Sequence, residues 1–253
     1  MNLKHIFCLK ANGAFPTLTA IIGMFFLGGA FGFKQSVLSA LCLTGVILLG
    51  VAAAFAASLF LSKTFLRGEP STFMIELPPF RKPQIGKTIL RSILDRTIFV
   101  LGRAVSVAAP AGILIFLLGN TSVGDTSALL AVSRFLDPFA KIFGLDGAIL
   151  LAFILGFPAN EIVVPIIIMI YTASGTITEP SSLSALHSLL LQNGWTYVTA
   201  LCVTVFCLFH WPCSTTLWTV KKETGSAKYT LLAALLPTAL GFAMCFLINA
   251  LLK

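Results

Sequence analysis

Phe206–Glu223 reads FCLFHWPCSTTLWTVKKE, an apolar run of the membrane type that carries His210, Pro212 and Cys213 and then the hydroxyls of Ser214, Thr215 and Thr216. A helix crossing lipid pairs its backbone polar groups internally, so a proline followed at once by a thiol and three hydroxyls marks a break lining a protected cavity. This break is the candidate site. Working outward, the 253 residues are 57% hydrophobic against 10% charged, with a mean hydropathy of +0.97, which argues for a polytopic membrane protein over two soluble domains. The net charge of +8 then has a membrane explanation. Lys63, Arg67, Arg81, Lys82, Lys87, Arg91 and Arg96 lie between two apolar runs, and Lys221, Lys222 and Lys228 between two others, the pattern of cytoplasmic loops. Membrane lipid is the expected partner, and nucleic acid is not.

Further apolar runs extend over Phe15–Phe33, Val37–Leu61, Ile98–Leu118, Tyr197–Val220 and Tyr229–Leu252, each long enough to span. Gly23, Gly28, Gly29 and Gly32 give the first a small-residue face, which predicts tight antiparallel packing on the second. Arg103, just inside the third, fits a snorkelling arginine or, alternatively, a pathway residue. Pro110 predicts a kink in the same span. Leu129–Phe143 carries Arg134, Asp137 and Lys141 among apolar residues, too polar to span and suited to the interface. A short helix is expected over residues 180–194, with His187 exposed on it.

Gly147–Tyr171 is interrupted by Gly156-Phe157-Pro158-Ala159-Asn160-Glu161, and Glu161 is the only acid inside a hydrophobic run. A carboxylate at membrane depth costs several kcal/mol, so it should face a cavity, a cation or a donor network, or cap the second half-helix. Charge bias tests the interruption independently. If Gly147–Tyr171 crossed fully, residues 172–195, which contain no Lys or Arg, would be cytoplasmic and Lys221-Lys222 external. A re-entrant hairpin turning at Pro158-Ala159-Asn160 puts both loops on the expected sides. The fold class is therefore all-α, a polytopic helical membrane protein with about five full spans, one re-entrant broken helix and interfacial helices. Its expected divisions are 1–62, an N-terminal helix pair; 63–96, a basic Pro-rich cytoplasmic loop; and 97–253, a second membrane domain.

The chemistry available is sparse. Cys213 as thiolate, His210 as neutral imidazole, Glu161 as carboxylate and the hydroxyls of Ser214, Thr215 and Thr216 form a transient set for a first-row divalent cation, with Asn160 beside them. Structural alternatives stand beside this: Cys213 as a small residue at a kink, His210 as a satisfied buried histidine. The six cysteines (Cys8, Cys42, Cys202, Cys207, Cys213, Cys245) form no CxxC spacing, so neither disulfides nor a structural metal is expected. Gly86-Lys87-Thr88 lacks the glycine a phosphate-binding loop needs at position 81, which is Arg81. The opening MNLKHIFCLKANGAF has no compact apolar core with a small-residue cleavage site, so no removable signal peptide is expected. Nothing marks an oxyanion hole, which leaves an intramembrane Cys-His enzyme a distant reading.

Six segments in consistent order carry a resemblance: Ile75-Glu76-Leu77-Pro78-Pro79-Phe80-Arg81-Lys82-Pro83, Gly102-Arg103-Ala104, Gly144-Leu145-Asp146-Gly147, Gly156 through Glu161, Trp211-Pro212-Cys213-Ser214-Thr215-Thr216 and Lys222-Glu223-Thr224-Gly225-Ser226. Together they resemble the C-terminal membrane half of the ferrous iron transport protein B family, FeoB, particularly its clostridial-type members. The resemblance implies a helical permease of a bacterial inner membrane with two gate regions, also described as nucleoside-recognition domains, and a cysteine in each gate associated with passage of Fe2+. Cys213 fits the second of these. Cys8 lies near the first, but this chain has three residues inserted after the cysteine and Ala14 in place of the family's arginine.

The family's GTP-binding domain has no counterpart in this sequence, which is expected to be a fragment or one part of a split transporter and not itself an enzyme. Fe2+ would be its substrate, with no stably bound cofactor, and GTP would act only through a separate domain. A GTPase-bearing N-terminal half in trans is the expected partner, and a homo-oligomer is compatible with the sequence. The runner-up is a non-transporting gate-domain assembly subunit like the spore-maturation proteins.

Overall fold

The computed structural model describes Ile21, Gly23, Phe25, residues 33–63, Gly86, Leu90, and residues 93–124, 126–176 and 182–252. The Phe15–Phe33 span, the basic loop, Cys8 and the Arg103 side chain lie outside the described residues, apart from the positions just named and Lys63 at the loop's start. Helix α1 (Phe33–Lys63) is followed by a wide helical turn, Ile93–Ile98, that leads into α2 (Phe99–Asn120). A minimal hairpin, β1 (Ser122–Val123) against β2 (Thr126–Ser127), joins α2 to α3 (Ala128–Ile142) and is a departure from the all-helical expectation. Then come α4 (Gly147–Leu155), a tight turn at Asn160–Ile162, α5 (Val163–Thr172), α6 (Leu183–Gln192), α7 (Tyr197–Phe209), α8 (Ser214–Thr224) and α9 (Ala227–Leu252).

Among the described residues, three helical stretches are long and apolar enough to cross a membrane: Ala40–Ala57 in α1, Tyr197–Thr224 comprising α7 and α8, and Ala227–Leu252. The expected span over Ile98–Leu118 is present as α2, but its apolar portion, Ala104–Asn120, falls just short by length. Helix α2 runs on through Pro110 without interruption. The amphipathic Leu129–Phe143 segment is α3, which turns through 108° into α4. Asp146 ends that corner by capping α4, its side chain accepting the Ile149 N–H at 2.6 Å. Gly144, with φ +70, supplies the left-handed residue the corner requires. Helix α6 begins three residues later than its sequence suggests, capped by Ser182, and His187 on it is half-buried rather than exposed, with its ring 5.2 Å from Phe25.

Burial sorts the helices into two classes. α4 is buried on almost every side, as is most of α7, and Phe153 from one meets Phe206 from the other edge to face at 4.9 Å. By contrast α1 and α2 expose Leu41, Leu48, Phe55, Leu101, Ile113 and Phe116, the apolar belt that faces hydrocarbon in a membrane protein. α9 lies antiparallel to α7: Gly241 sits against Phe209 and Phe206, and four residues on, Cys245 and Cys202 each direct a thiol to the other's carbonyl.

α4 and α5 form a hairpin. The Tyr171 hydroxyl, next to the end of α5, donates to the Asp146 carboxylate at the start of α4. Were the two helices collinear, residues 25 positions apart would be separated by about 38 Å. The helical hairpin that the re-entrant reading of Gly147–Tyr171 requires is thus observed, with its tip at residues 156–162.

The corner depends on glycine at 147. A Cβ there would lie 1.9 Å from the Ser133 carbonyl oxygen, so α3 and α4 could not keep their approach. Gly147→Ala is expected to lower stability by roughly 1–3 kcal/mol or more, read as a reduced thermal midpoint of the purified chain in detergent.

Candidate functional site

Two interrupted helices meet at the site. The first interruption follows α4: Gly156 closes its last turn onto the Ala152 carbonyl, and Ala159 is fully extended before the chain resumes at Asn160. Pro158 forbids continuation, because the residue before a proline is driven out of the helical region. The second follows α7, where His210 still donates its N–H to Phe206 but turns extended, and Pro212 separates it from α8. The two gaps are joined directly, since the Ser214 N–H, at the first position of α8, donates to the Phe157 carbonyl at 3.0 Å. Each break leaves backbone groups without intrahelical partners, and here one supplies the donor for the other's acceptor.

Cys213 stands at the N-cap of α8, half-buried, with its sulfur 3.2 Å from the Thr215 hydroxyl and 3.1 Å from that of Thr216. Its carbonyl receives the N–H groups of Thr216 and Leu217, which starts the new helix. Ser214 is 9% exposed, and neither its hydroxyl nor the indole N–H of half-buried Trp211 has a hydrogen-bond partner among the described residues. A thiol and three hydroxyls therefore share the first turn of α8.

His210 is 1% exposed. Its Nδ1 lies 2.8 Å from the Cys207 carbonyl and 3.2 Å from that of Phe206, so Nδ1 carries the proton and caps the end of α7. Its ring rests 5.0 Å from Phe153, which ties the second break to α4. Asn160 is half-buried, and its carbonyl accepts the Val163 N–H that opens α5. Glu161 is exposed in the first turn of that segment, the position where a helix dipole favours a carboxylate. No side-chain hydrogen bond caps the start of Asn160–Ile162 or of α5.

The sequence-predicted residues come together as two breaks and not as a ligand cage. Among the described residues no three His, Cys, Asp or Glu side chains gather closely enough to hold a metal ion. Cys213, with Thr215 and Thr216, is one cluster; His210 serves α7; Glu161 stands at the hairpin tip.

A second polar centre escaped the sequence. Asp137 accepts the Gly147 N–H and pairs with Lys141, Tyr171 donates to Asp146, and the Trp195 indole N–H donates to the Tyr171 oxygen at 2.8 Å. Asn249, near the end of α9, donates to the carbonyls of Lys141 and Ile142 at 3.2 and 3.1 Å. Asp137, Lys141, Asp146, Tyr171 and Asn249 line a cavity of about 810 Å³ at the end of the molecule opposite Lys221-Lys222. The signal available was the placement of Tyr171 and Trp195 at ends of apolar runs, where aromatic side chains with one polar atom concentrate.

A buried re-entrant hairpin held against a discontinuous span, inside an apolar belt, defines a polytopic helical membrane protein of the broken-helix kind. The family profile described as Gate, nucleoside recognition, matches residues 55–227. The chain belongs to that family. It is also similar along nearly its whole length to proteins named Fe(2+) transporter FeoB, in agreement with the resemblance carried by its motifs. That of Staphylococcus aureus (strain MSSA476) is 26% identical over 252 residues, covering 94% of this chain and 34% of the relative. That of Leptospira interrogans serogroup Icterohaemorrhagiae serovar Lai (strain 56601) is 26% identical over 265 residues, covering 95% and 37%, and that of Leptospira biflexa serovar Patoc is 25% identical over 259 residues with the same coverage. The chain thus spans about a third of the length of the curated relatives it matches. No solved structure matches it.

The role of His210 is separable by substitution. His210→Phe keeps a ring beside Phe153 but removes the Nδ1–H donor, and is expected to cost about 1–2 kcal/mol; His210→Ala also empties a buried ring site and should cost about 3 kcal/mol or more. Thermal unfolding in detergent measures both.

Proposed function

We propose that this chain is the membrane permease portion of a ferrous iron importer in a bacterial inner membrane, passing Fe2+ between the two helix breaks with Cys213 as its leading contact. The observation that carries the reading is the hydrogen bond from Ser214 to Phe157, which places Cys213 and three hydroxyls at the junction of two interrupted helices. Such junctions are where membrane proteins accommodate ions at depth, because only there is irregular backbone kept from lipid. Thiolate and hydroxyl donors form a soft, incomplete set suited to a first-row divalent cation that must leave as readily as it binds. Asn160 and Glu161 at the hairpin tip, and His210 behind the second break, are subsidiary residues of the path. Similarity to proteins named Fe(2+) transporter FeoB supports iron as the substrate.

GTP hydrolysis would reside on a separate N-terminal half, and the basic Pro-rich stretch at 63–96 is the proposed docking surface for it. Positive charge at Lys63 and at Lys221-Lys222 orients that end of the helices toward the cytoplasm, and the 810 Å³ cavity toward the outside. The absence of a three-residue ligand cage among the described residues favours, as a second reading, a gate-domain assembly subunit that moves no metal.

Anaerobic uptake of radioactive Fe2+ into iron-starved cells lacking other importers separates the two. Uptake is expected from this chain together with a GTPase-bearing N-terminal half, and is expected to fall at least tenfold with Cys213→Ser while the pair still assembles in the membrane. A pair that assembles and moves no iron supports the assembly subunit instead.

A further inference from the structure

Among the described residues a buried apolar layer separates the outer cavity from the helix breaks. The cavity reaches Ala148 on α4 and Ile170 on α5. From there to the interruption at Gly156 α4 continues for eight residues, about 12 Å, and that interval is filled by Ile149, Ala152, Phe153, Ile166 and Ile167, each at most 1% exposed. The described state is closed on this side. Lining the cavity at that level are Tyr171 and Asp146, two members of a hydrogen-bonded chain across three elements: the Trp195 indole, just before α7, to the Tyr171 hydroxyl on α5, to the Asp146 carboxylate on the corner before α4. Asp146 is in turn held by the Ile149 N–H, and Asp137 grips the adjacent Gly147 N–H.

We propose that Trp195, Tyr171 and Asp146 are the outer clamp of the permease: their hydrogen-bonded chain holds the open end of the re-entrant hairpin shut against α7, and its release lets the cavity communicate with Cys213. This inference rests on the transport reading for its purpose. Its geometry stands alone, because this chain of polar atoms links the start of one hairpin helix, the end of the other and the residues just before the discontinuous span, beside the cavity that Asp146 and Tyr171 line. Tyr171 is the hinge of the argument, since it donates to one partner and accepts from the other. All three act through the hairpin and are positioning residues, not cation contacts. The same chain also explains the two aromatic side chains that carry a polar atom here, since neither an apolar nor a purely aliphatic closure could be opened by competition from water entering the cavity.

The test is labelling of Cys213 by a membrane-impermeant cationic methanethiosulfonate, applied from the outside to spheroplasts and from the inside to inverted vesicles, with each cysteine-containing peptide quantified by mass spectrometry. Tyr171→Phe keeps the ring and removes the hydroxyl. Labelling of Cys213 from the outside is expected to accelerate roughly ten- to hundredfold, the shift that loss of a hydrogen bond to a carboxylate permits. Trp195→Phe should give a smaller acceleration, and Tyr229→Phe, on α9 away from the chain, none. Cys202 and Cys245, fully buried between α7 and α9, report general loosening. Unchanged labelling in Tyr171→Phe overturns the clamp, and so does an equal rise at Cys202, which makes the chain a fold element only. Acceleration only from the inside overturns its assignment to the outer side. If Cys213 responds as expected but the uptake experiment shows no iron movement, the clamp stands and the transport reading alone fails.

Discussion

The hydrogen bond between the Ser214 N–H and the Phe157 carbonyl answers the constraint that governs everything else in this molecule. Hydrocarbon offers no partner to a backbone polar group, so an interrupted helix is admissible only where something other than lipid completes it. Two interruptions that complete one another solve the problem with a single contact. Around that contact the burial pattern follows: α4 and α7, which bear the gaps, are enclosed, while α1, α2 and one face of α9 carry the lipid-facing side chains.

Close approach is the second requirement, and small residues provide it. Gly147 lets α4 start beneath the Ser133 carbonyl, and Gly241 lets α9 lie on Phe206 and Phe209. Because lipid is as apolar as a leucine side chain, such contacts gain their stability from dispersion and shape rather than from escape from water. Polar links then fix register: Asn249 to the end of α3, Cys202 and Cys245 across α7 and α9, and His210 on its own helix end.

How much of this the sequence discloses depends on whether the physics is local. Pro158 and Pro212 declare the two breaks by themselves, since proline removes a donor and restrains its predecessor. The re-entrant course of Gly147–Tyr171 is readable from the distribution of lysine and arginine, and the Asp146 to Tyr171 contact realises it. The pairing of Phe157 with Ser214 is illegible because it joins main-chain atoms, which have no side-chain signature. Tyr171 and Trp195 are marked only by their place at the ends of apolar runs, and their pairing depends on a corner that only the fold creates. For Glu161 the sequence leaves a cavity, a cation or a helix cap open, and the fold presents the residue exposed at a helix start.

The separation of those two breaks along the chain has a consequence for biosynthesis. Ser214 follows Phe157 by 57 residues. At about 5–20 residues per second, the ribosome delivers the donor roughly 3–11 s after the acceptor. During that interval the hairpin tip has left the ribosome with its carbonyl uncompleted, and lipid cannot receive it. The tip must wait in the aqueous or proteinaceous environment of the insertion machinery until α7 and α8 arrive, so the hairpin enters the membrane together with the discontinuous span and not ahead of it.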